Sequence, residues 1–346
     1  MSKNIIVSFI VPVFNTPAEL LERSIDSIVT NLHEGYEILL INDGSTNPDT
    51  NKKCEELCRL QNIFYFEQQN QGVSVARNKG IEQSHGKYII FIDPDDYVTE
   101  EMGDILNKLN ACSFDVIAFD YIRETNTKQR TRIGINVDLE YLDKQELINN
   151  VLFCGTLYPD YYAGAIWAKA FKSSFIRNNN LKFDPVLRKA QDRIFMLYAY
   201  SLSNSIYYMH ITSYVYYQNL ESICNKYNKN ASVRSHAFVN AVSIFLNKTD
   251  IKLDAKRLLA SVNYISFFEV LYLDLFNFEN LDDPKINLRK AKNEYQNFNI
   301  EDTTKVLRLE DFKSVSEKIK FMLIKLRAYR TLNYLIIIRQ KKARYI

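Results

Sequence analysis

The chain has 346 residues, 47% hydrophobic and 25% charged, which suits an ordinary globular protein built as one large domain with an appendage, or as two domains. Its net charge of +3 is too small to argue for nucleic acid as a partner. Five cysteines (Cys54, Cys58, Cys112, Cys154, Cys224) show neither zinc nor redox spacing, and an odd count without a disulfide framework favours a reducing compartment.

Residues 5–14, Ile-Ile-Val-Ser-Phe-Ile-Val-Pro-Val-Phe, read as a central strand ending near Pro12. That apolar run stops at Pro12 and Asn15 without a cleavage signal, so no signal peptide is expected, and no uninterrupted apolar run is long enough to span a bilayer. These features predict a cytoplasmic protein. Thr16 as N-cap and Pro17 at the first helical position open a helix carrying Leu20, Leu21, Ile25 and Ile28. Residues 36–42 make a second buried strand that runs into Asp43-Gly44-Ser45-Thr46. A helix over roughly 48–60, a short strand at 62–66, a helix from Gly72 to Gln83 and a strand at 87–92 follow. This alternation predicts a mostly parallel, doubly wound α/β sheet, in which ligands bind beyond the carboxyl ends of the strands. Asn15, Asp43, Gly72 and Asp93 all fall at those ends or beside them.

Beyond the fourth strand the pattern predicts a helix at 100–110, a strand at 114–122, a solvated hairpin or loop at 123–133 and a helix at 141–153. An aromatic-rich stretch leads to a helix around 167–177, and another helix covers 191–203. Two strands, 205–209 and 213–218, enclose His210, which reads as a structural histidine. A polar loop spans 219–232, and from about 233 the chain is almost wholly helical. The expected division is 1–230, with a nucleotide-binding half at 1–110 and a second half at 111–230, followed by a helical region at 231–346.

Asp93, Asp95 and Asp96 follow directly on the apolar run 88–92. Carboxylates are costly to bury unpaired, so they belong at the strand's exit. An Asp-x-Asp there suits an oxygen-ligated hard cation, Mg²⁺ or Mn²⁺, and equally suits an acidic turn capping the next helix. Asp43 suits a hydrogen bond to a nucleobase or ribose, or a bond to its own turn. Gly72 lets a ligand approach backbone N–H groups, and Arg77 lies within reach of a phosphate or base, or belongs to an ordinary surface helix and pairs with a nearby acid. Asp192 begins a helix, where the dipole keeps a carboxylate ionised, which suits a base and equally a plain helix-opening aspartate. Trp167 and Lys169 suit an acceptor wall with a cation beside it, or a core position. Ser222 sits in the polar loop, placed to close over phosphate.

Near the C-terminus Phe312, Val315, Ile319, Met322, Leu326 and Tyr329 recur at spacings of three and four, so they share one helical face. Lys313, Lys318, Lys320, Lys325, Arg327 and Arg330 are the charged complement, and Glu317 is the only acid after Asp311. A basic amphipathic helix of this kind suits an anionic membrane surface, its own domain, or the partner in a homodimer.

Together the segments Ile10-Val11-Pro12-Val13-Phe14-Asn15, Ile41-Asn42-Asp43-Gly44-Ser45-Thr46, Asn70 to Asn78 and Phe91-Ile92-Asp93-Pro94-Asp95-Asp96 resemble the family 2 glycosyltransferases of GT-A fold. They stand in the family's order and at its spacing, and the likeness continues more faintly through Trp167-Ala168-Lys169 and Gln191-Asp192. The type is the bacterial enzymes that build capsular and other cell-surface polysaccharides. The resemblance implies an inverting transfer from a UDP-sugar to a glycan or lipid-linked oligosaccharide, with Mn²⁺ or Mg²⁺. It puts Pro12, Val13, Asn15, Asp43, Gly72, Arg77, Asp93, Pro94 and Asp95 in the nucleotide-sugar site, Asp93 and Asp95 on the metal, and Asp192 as the base. Trp167, Lys169, Gln191 and Ser222 would face the acceptor. The family usually carries Glu-Asp where this chain has Gln191-Asp192, so the acceptor contact beside the base is open to difference. The Gln-x-x-Arg-Trp run and membrane spans of processive synthases are missing, which implies one sugar per encounter and at most a peripheral place on the inner face of the membrane. A sugar-phosphate nucleotidyltransferase would need a glycine- and lysine-rich loop after the first strand, which Val13 to Pro17 does not supply. A non-catalytic sugar-binding module would not need all of Asp43, Arg77, Asp93, Asp95 and Asp192.

Overall fold

The computed structural model describes residues 4–135, 140–152, 161–218, 226–312 and 314–344. They fall into two compact units: the first holds every strand, and the second is helical.

The first unit is laid out on four strands, β1 (Val7–Val13), β2 (Tyr36–Asn42), β3 (Ile63–Glu67) and β4 (Tyr88–Phe91). They run parallel in the order β3-β2-β1-β4. Every residue of β1 and β2 is buried, as expected of parallel strands covered on both faces. Helices α1 (Ala18–Asn31), α2 (Pro48–Leu57) and α3 (Val73–Gln83) make the crossovers. Gly80 of α3 lies so close to Ile10 of β1 that any side chain there would collide with it. The predicted cap of α1 is off by one position: Pro17, not Thr16, precedes the first helical residue, and the Thr16 carbonyl instead accepts a bond from the Thr50 hydroxyl, 2.8 Å, which ties α1 to α2.

A mixed group of strands extends the sheet: β5 (Tyr97–Val98), β6 (Val116–Thr125), β7 (Arg130–Ile133), β8 (Lys169–Lys172) and β9 (Ile206–Gln218). The full order is β3-β2-β1-β4-β8-β6-β9-β5, with β7 paired to β6. Helices α4 (Met102–Ala111), α5 (Lys144–Val151), α6 (Ser173–Asn178) and α7 (Gln191–Leu202) complete the unit.

Two expectations change here. The predicted helix around 167–177 is strand β8 followed by α6, because β4 and β6 both need an antiparallel neighbour and residues 169–172 fill that gap. The predicted strand pair at 205–218 is one strand, β9. Its register against β6 slips on either side of Asp120, where His210 and Ile211 go unpaired. His210 is therefore in a bulge within a strand, exposed, with its ring edge-on to Tyr208.

The second unit contains α8 (Ala231–Lys248), α9 (Ala255–Val270), a π-helical turn at Leu271–Leu275, α10 (Pro284–Asn297), α11 (Ile300–Val306), α12 (Val315–Lys325) and α13 (Tyr329–Arg344). Its core is built on Phe267, Val270, Leu271, Phe298, Phe321 and Ile324. Among the described residues one helical stretch, Ala255–Leu275, is long and apolar enough by length and composition to cross a membrane, although charged and polar residues interrupt its apolar run. It is a core helix: Val262, Phe267, Val270 and Leu271 are fully buried within the unit.

Candidate active site

The carboxyl ends of β1, β2 and β4 converge with the first turns of α3 and α7. Pro12 and Val13 close β1 and are buried in its ladder with β2, Pro12 opposite Ile41. Asn15 then turns the chain with φ +51, a left-handed conformation that asparagine tolerates. Its Oδ1 accepts from the backbone N–H groups of Thr46 (2.8 Å) and Asn47 (2.9 Å), and its own N–H donates to the Ser45 hydroxyl (3.0 Å). Asn15 thus joins the β1 exit to the β2 exit.

Asp43 does the same between β2 and α3. Its Oδ1 accepts from Gln71 N–H (2.9 Å) and Gln68 Nε2 (2.8 Å), and its Oδ2 from Gly72 N–H (2.8 Å). Those charge-assisted bonds hold the loop that opens α3 rather than Asp43's own turn. Gly72 caps that helix at φ +97, and a side chain there would strike the guanidinium of Arg188, whose Nη1 donates to Gln71 O at 3.1 Å.

The centre of the site is Arg77. Its guanidinium, 4% exposed, donates through Nη1 to Asp192 Oδ1 at 2.6 Å and through Nη2 to Asp93 Oδ1 at 2.9 Å. One planar fork therefore holds the carboxylate at the end of β4 and the one in the first turn of α7 a guanidinium's width apart. The floor beneath is aromatic: Phe183 stacks on Phe195 at 4.2 Å, Phe91 meets both edge-on, and Arg77 lies over the Phe183 ring. Asn78 secures Phe183 by a reciprocal pair of bonds, both 2.8 Å, to its backbone N–H and C=O. Asp192 begins α7, as the sequence predicts, and meets two opposed influences. Burial raises its pKa above the ordinary carboxylate value, and the opposing pull of Arg77 does not cancel that.

The acidic turn splits into two roles. Asp96 is buried, accepts from Tyr214 Oη (2.5 Å) and Tyr217 N–H (2.8 Å), and so anchors the turn to β9. Burial and the charges of Asp93 and Asp95 raise its pKa well above the usual range. Asp95 makes no ion pair among the described residues, and burial followed by the charge of Asp93 pushes its carboxyl up to about 6. Its carbonyl oxygen accepts from Arg23 Nη2 at 2.7 Å, and that guanidinium lies between the rings of Tyr97 and Tyr217. Pro94 is half-buried between the two carboxylates. Asp93 bonds Arg77 through one oxygen only. Two adjacent carboxylates, one without a cation partner, fit a hard cation that completes its shell with water and phosphate oxygens. The described residues form no group of three acidic, histidine or cysteine side chains that would make a closed protein cage.

On the other side, Trp167 is buried between Tyr214 (5.3 Å) and Tyr216 (5.1 Å), both stacked face to face, with Tyr121 edge-on at 4.7 Å. Lys169 is 1% exposed, its Nζ sits 3.5 Å from Trp167 O beside the Tyr161 ring, and burial pushes its pKa down to about 7. Gln191, the first residue of α7, has a buried Oε1 without a hydrogen-bond partner. Ser222 lies outside the described residues. Sequence reasoning missed Arg23, Phe183, Arg188 and Tyr214, none of which carries a local motif; only the three-dimensional approach of distant elements reveals them.

Comparison with known proteins accords with this geometry. Residues 8–175 match the family model described as glycosyl transferase family 2. EpsH of Bacillus subtilis, provisionally assigned as a glycosyltransferase, is 28% identical over 251 residues, 70% of each chain. The glycosyltransferase GlyA of Streptococcus pneumoniae is 27% identical over 244 residues, 68% of this chain but only 34% of GlyA. The crystal structure of S. aureus TarS 1–349 with UDP-GlcNAc superposes with a TM-score of 0.63 at 16% identity, over 95% of this chain and 89% of that one. The fold of this chain is accordingly GT-A, with helices following the sheet.

Proposed function

We propose that this chain, which through residues 8–175 belongs to glycosyltransferase family 2, moves one sugar from a UDP-sugar to a hydroxyl of a glycan acceptor in cell-surface polysaccharide synthesis. The observation that carries the reading is the Asp93–Arg77–Asp192 bridge: one guanidinium holds two carboxylates, which on this reading serve the diphosphate side and the base side of a displacement. The UDP-GlcNAc bound by TarS supports a nucleotide-sugar donor of that class.

Asp95 and Asp93 would hold Mn²⁺ or Mg²⁺, and when bound such a cation offsets the negative charge on a departing diphosphate. Arg77 contributes a fixed positive charge at the same place without reorganisation. Asp43 and Asn15 keep the Gly72 loop and the β2 exit in position around the nucleoside, with Pro12 and Val13 as the floor beside them. Asp192, with its pKa raised by burial, accepts the proton of the acceptor hydroxyl as that oxygen attacks the anomeric carbon on the face opposite the leaving group. A single displacement inverts the configuration, so an α-linked donor gives a β-linked product, by the geometry that separates inverting from retaining glycosidases. Trp167 and Gln191 line the acceptor side. A lipid-linked oligosaccharide acceptor, presented at the inner face of the membrane, fits this reading, and the buried or half-buried free thiols Cys54 and Cys58 suit the reducing cytoplasm.

The test is UDP release and product NMR with a panel of UDP-sugars and glycan acceptors. Asp192→Asn should lower turnover by roughly 10²- to 10⁴-fold while UDP binding is kept, and the wild-type product should carry the inverted anomeric bond. Equal turnover by the variant, or a retained configuration, refutes the assignment.

A further inference from the structure

The amphipathic stripe near the C-terminus does not do what a packing helix does. In α12 the residues that enter the core are Phe321 (1% exposed) and Ile324 (0%). The opposite side carries Val315 (73%), Ile319 (48%), Met322 (37%) and Leu326 (69%), spaced four, three and four apart, hence one continuous exposed strip. The predicted single face from Phe312 to Tyr329 is therefore divided: its two ends turn into the core, Tyr329 fully and Phe312 in part, and its middle faces out.

The charge beside that strip is one-signed. Lys318 and Lys325 fall along the same edge of it by helical position. From Phe312 onward the sequence has ten lysines and arginines against one acid, Glu317. That glutamate is committed to the N-terminus of α12: its Oε2 accepts from Ser314 N–H at 3.0 Å while its own N–H donates to Ser314 Oγ at 3.1 Å. In α13, Tyr334 (66%) and Leu335 (42%) are likewise exposed in a sequence rich in Arg and Lys.

We infer that the outer face of α12 is a docking surface for an anionic lipid bilayer, with the Val315–Ile319–Met322–Leu326 strip entering the boundary between head groups and acyl chains and Lys318 and Lys325 pairing with lipid phosphates. An 11-residue helix is about 16 Å long, too short to cross a bilayer and suited to lie in its plane. Lysine stems extend along the apolar surface while their ammonium groups reach the head groups. A second copy of the chain fits less well. A two-fold pairing of this strip would bring the lysines of both copies together, with no uncommitted acid on either helix to answer them. The inference does not depend on which sugar is transferred.

The experiment is co-sedimentation of the full chain with phosphatidylcholine vesicles, with and without 30% phosphatidylglycerol. Wild type should bind the anionic vesicles and not the neutral ones. Ile319→Ser with Leu326→Ser should weaken that binding by roughly thirtyfold or more, given the apolar surface still open to burial. Lys318→Gln with Lys325→Gln should weaken it by roughly tenfold or more at low salt. Ile319, Lys325 and Leu326 are exposed and Lys318 is half-buried, so an unchanged thermal midpoint separates lost binding from lost folding. Three outcomes overturn the inference: no binding to anionic vesicles, wild-type binding by both double variants, or a dimer in sedimentation equilibrium that the apolar variant dissociates.

Discussion

Arg77→Met removes the guanidinium but keeps most of its volume, so it isolates the charge that holds the site together. The wild-type side chain is 4% exposed and bonds Asp192 at 2.6 Å and Asp93 at 2.9 Å, while those carboxylates are 27% and 28% exposed. Deleting one partner of a buried pair costs about 3–5 kcal/mol, and water reaching the carboxylates holds the expected loss near the lower end, about 3 kcal/mol. For a unit of this size that lowers the thermal midpoint by roughly 6–12 °C. The pH dependence carries the sharper information. Burial sets the Asp192 pKa above its ordinary value even with Arg77 present, and without the guanidinium it climbs further. A carboxyl whose pKa is higher in the folded than in the unfolded state costs stability as pH rises through that window. The variant should therefore lose more stability than wild type between pH 4 and pH 7, and the gap should be widest at neutral pH. Adding Asp192→Asn should recover part of it. Thermal unfolding at pH 4, 5.5 and 7 measures this. A deficit below about 1 kcal/mol, or one of equal size at all three pH values, refutes the shared-arginine account.

Lys169→Met should stabilise the chain at pH 7. The buried lysine's pKa is about 7 instead of 10.5, so above pH 7 the unfolded state holds a proton the folded state has lost, and wild-type stability rises with pH by up to about 1.4 kcal/mol per unit toward 10.5. The variant lacks that rise; parallel unfolding midpoints for both proteins from pH 7 to pH 10 would contradict it. Mn²⁺-assisted UDP binding, followed by calorimetric titration, should weaken as pH falls through about 6, where Asp95 takes up a proton. Asp95→Asn should bind UDP weakly and without that pH dependence, whereas wild-type affinity in the variant would remove Asp95 from the metal site.

The strands and helices up to residue 92 are legible in the sequence because each core strand is a short, mostly apolar run punctuated by glycine, proline or asparagine. Later elements are less so, for identifiable reasons. Residues 167–172 carry an apolar pattern too short to distinguish helix from strand, and only the open edges of β4 and β6 decide it. The bulge at His210 and Ile211 interrupts the two-residue alternation of β9, so one strand reads as two. Asp43 is recognisable as a site residue, yet its partners, Gln68, Gln71 and Gly72, are set by how loops from separate strands meet. The Arg77–Asp192 bridge joins residues 115 apart, and no local pattern encodes it. The upward push that burial gives the Asp192 pKa is likewise outside a local argument, since desolvation depends on everything packed around the side chain.

Charge balance then constrains the order of events at the site. Asp93, Asp95 and Asp192 bring three negative charges when ionised, and Arg77 returns one positive charge within the same cluster. Burial first, and then the charge of Asp93, push the Asp95 carboxyl up to about 6. A nucleoside diphosphate entering this field meets like charge, so donor affinity on the proposed reading is low until a divalent cation is shared between the acidic turn and the phosphates. The same field attracts a cation, but the described residues offer it two carboxylates and no closed cage, which on the proposed reading leaves the remaining positions to water and the donor. On the proposed reading, cation and donor favour each other's binding. Arg77, fixed by its two carboxylates and the Phe183 ring, is a positive charge already in place at the centre before either arrives.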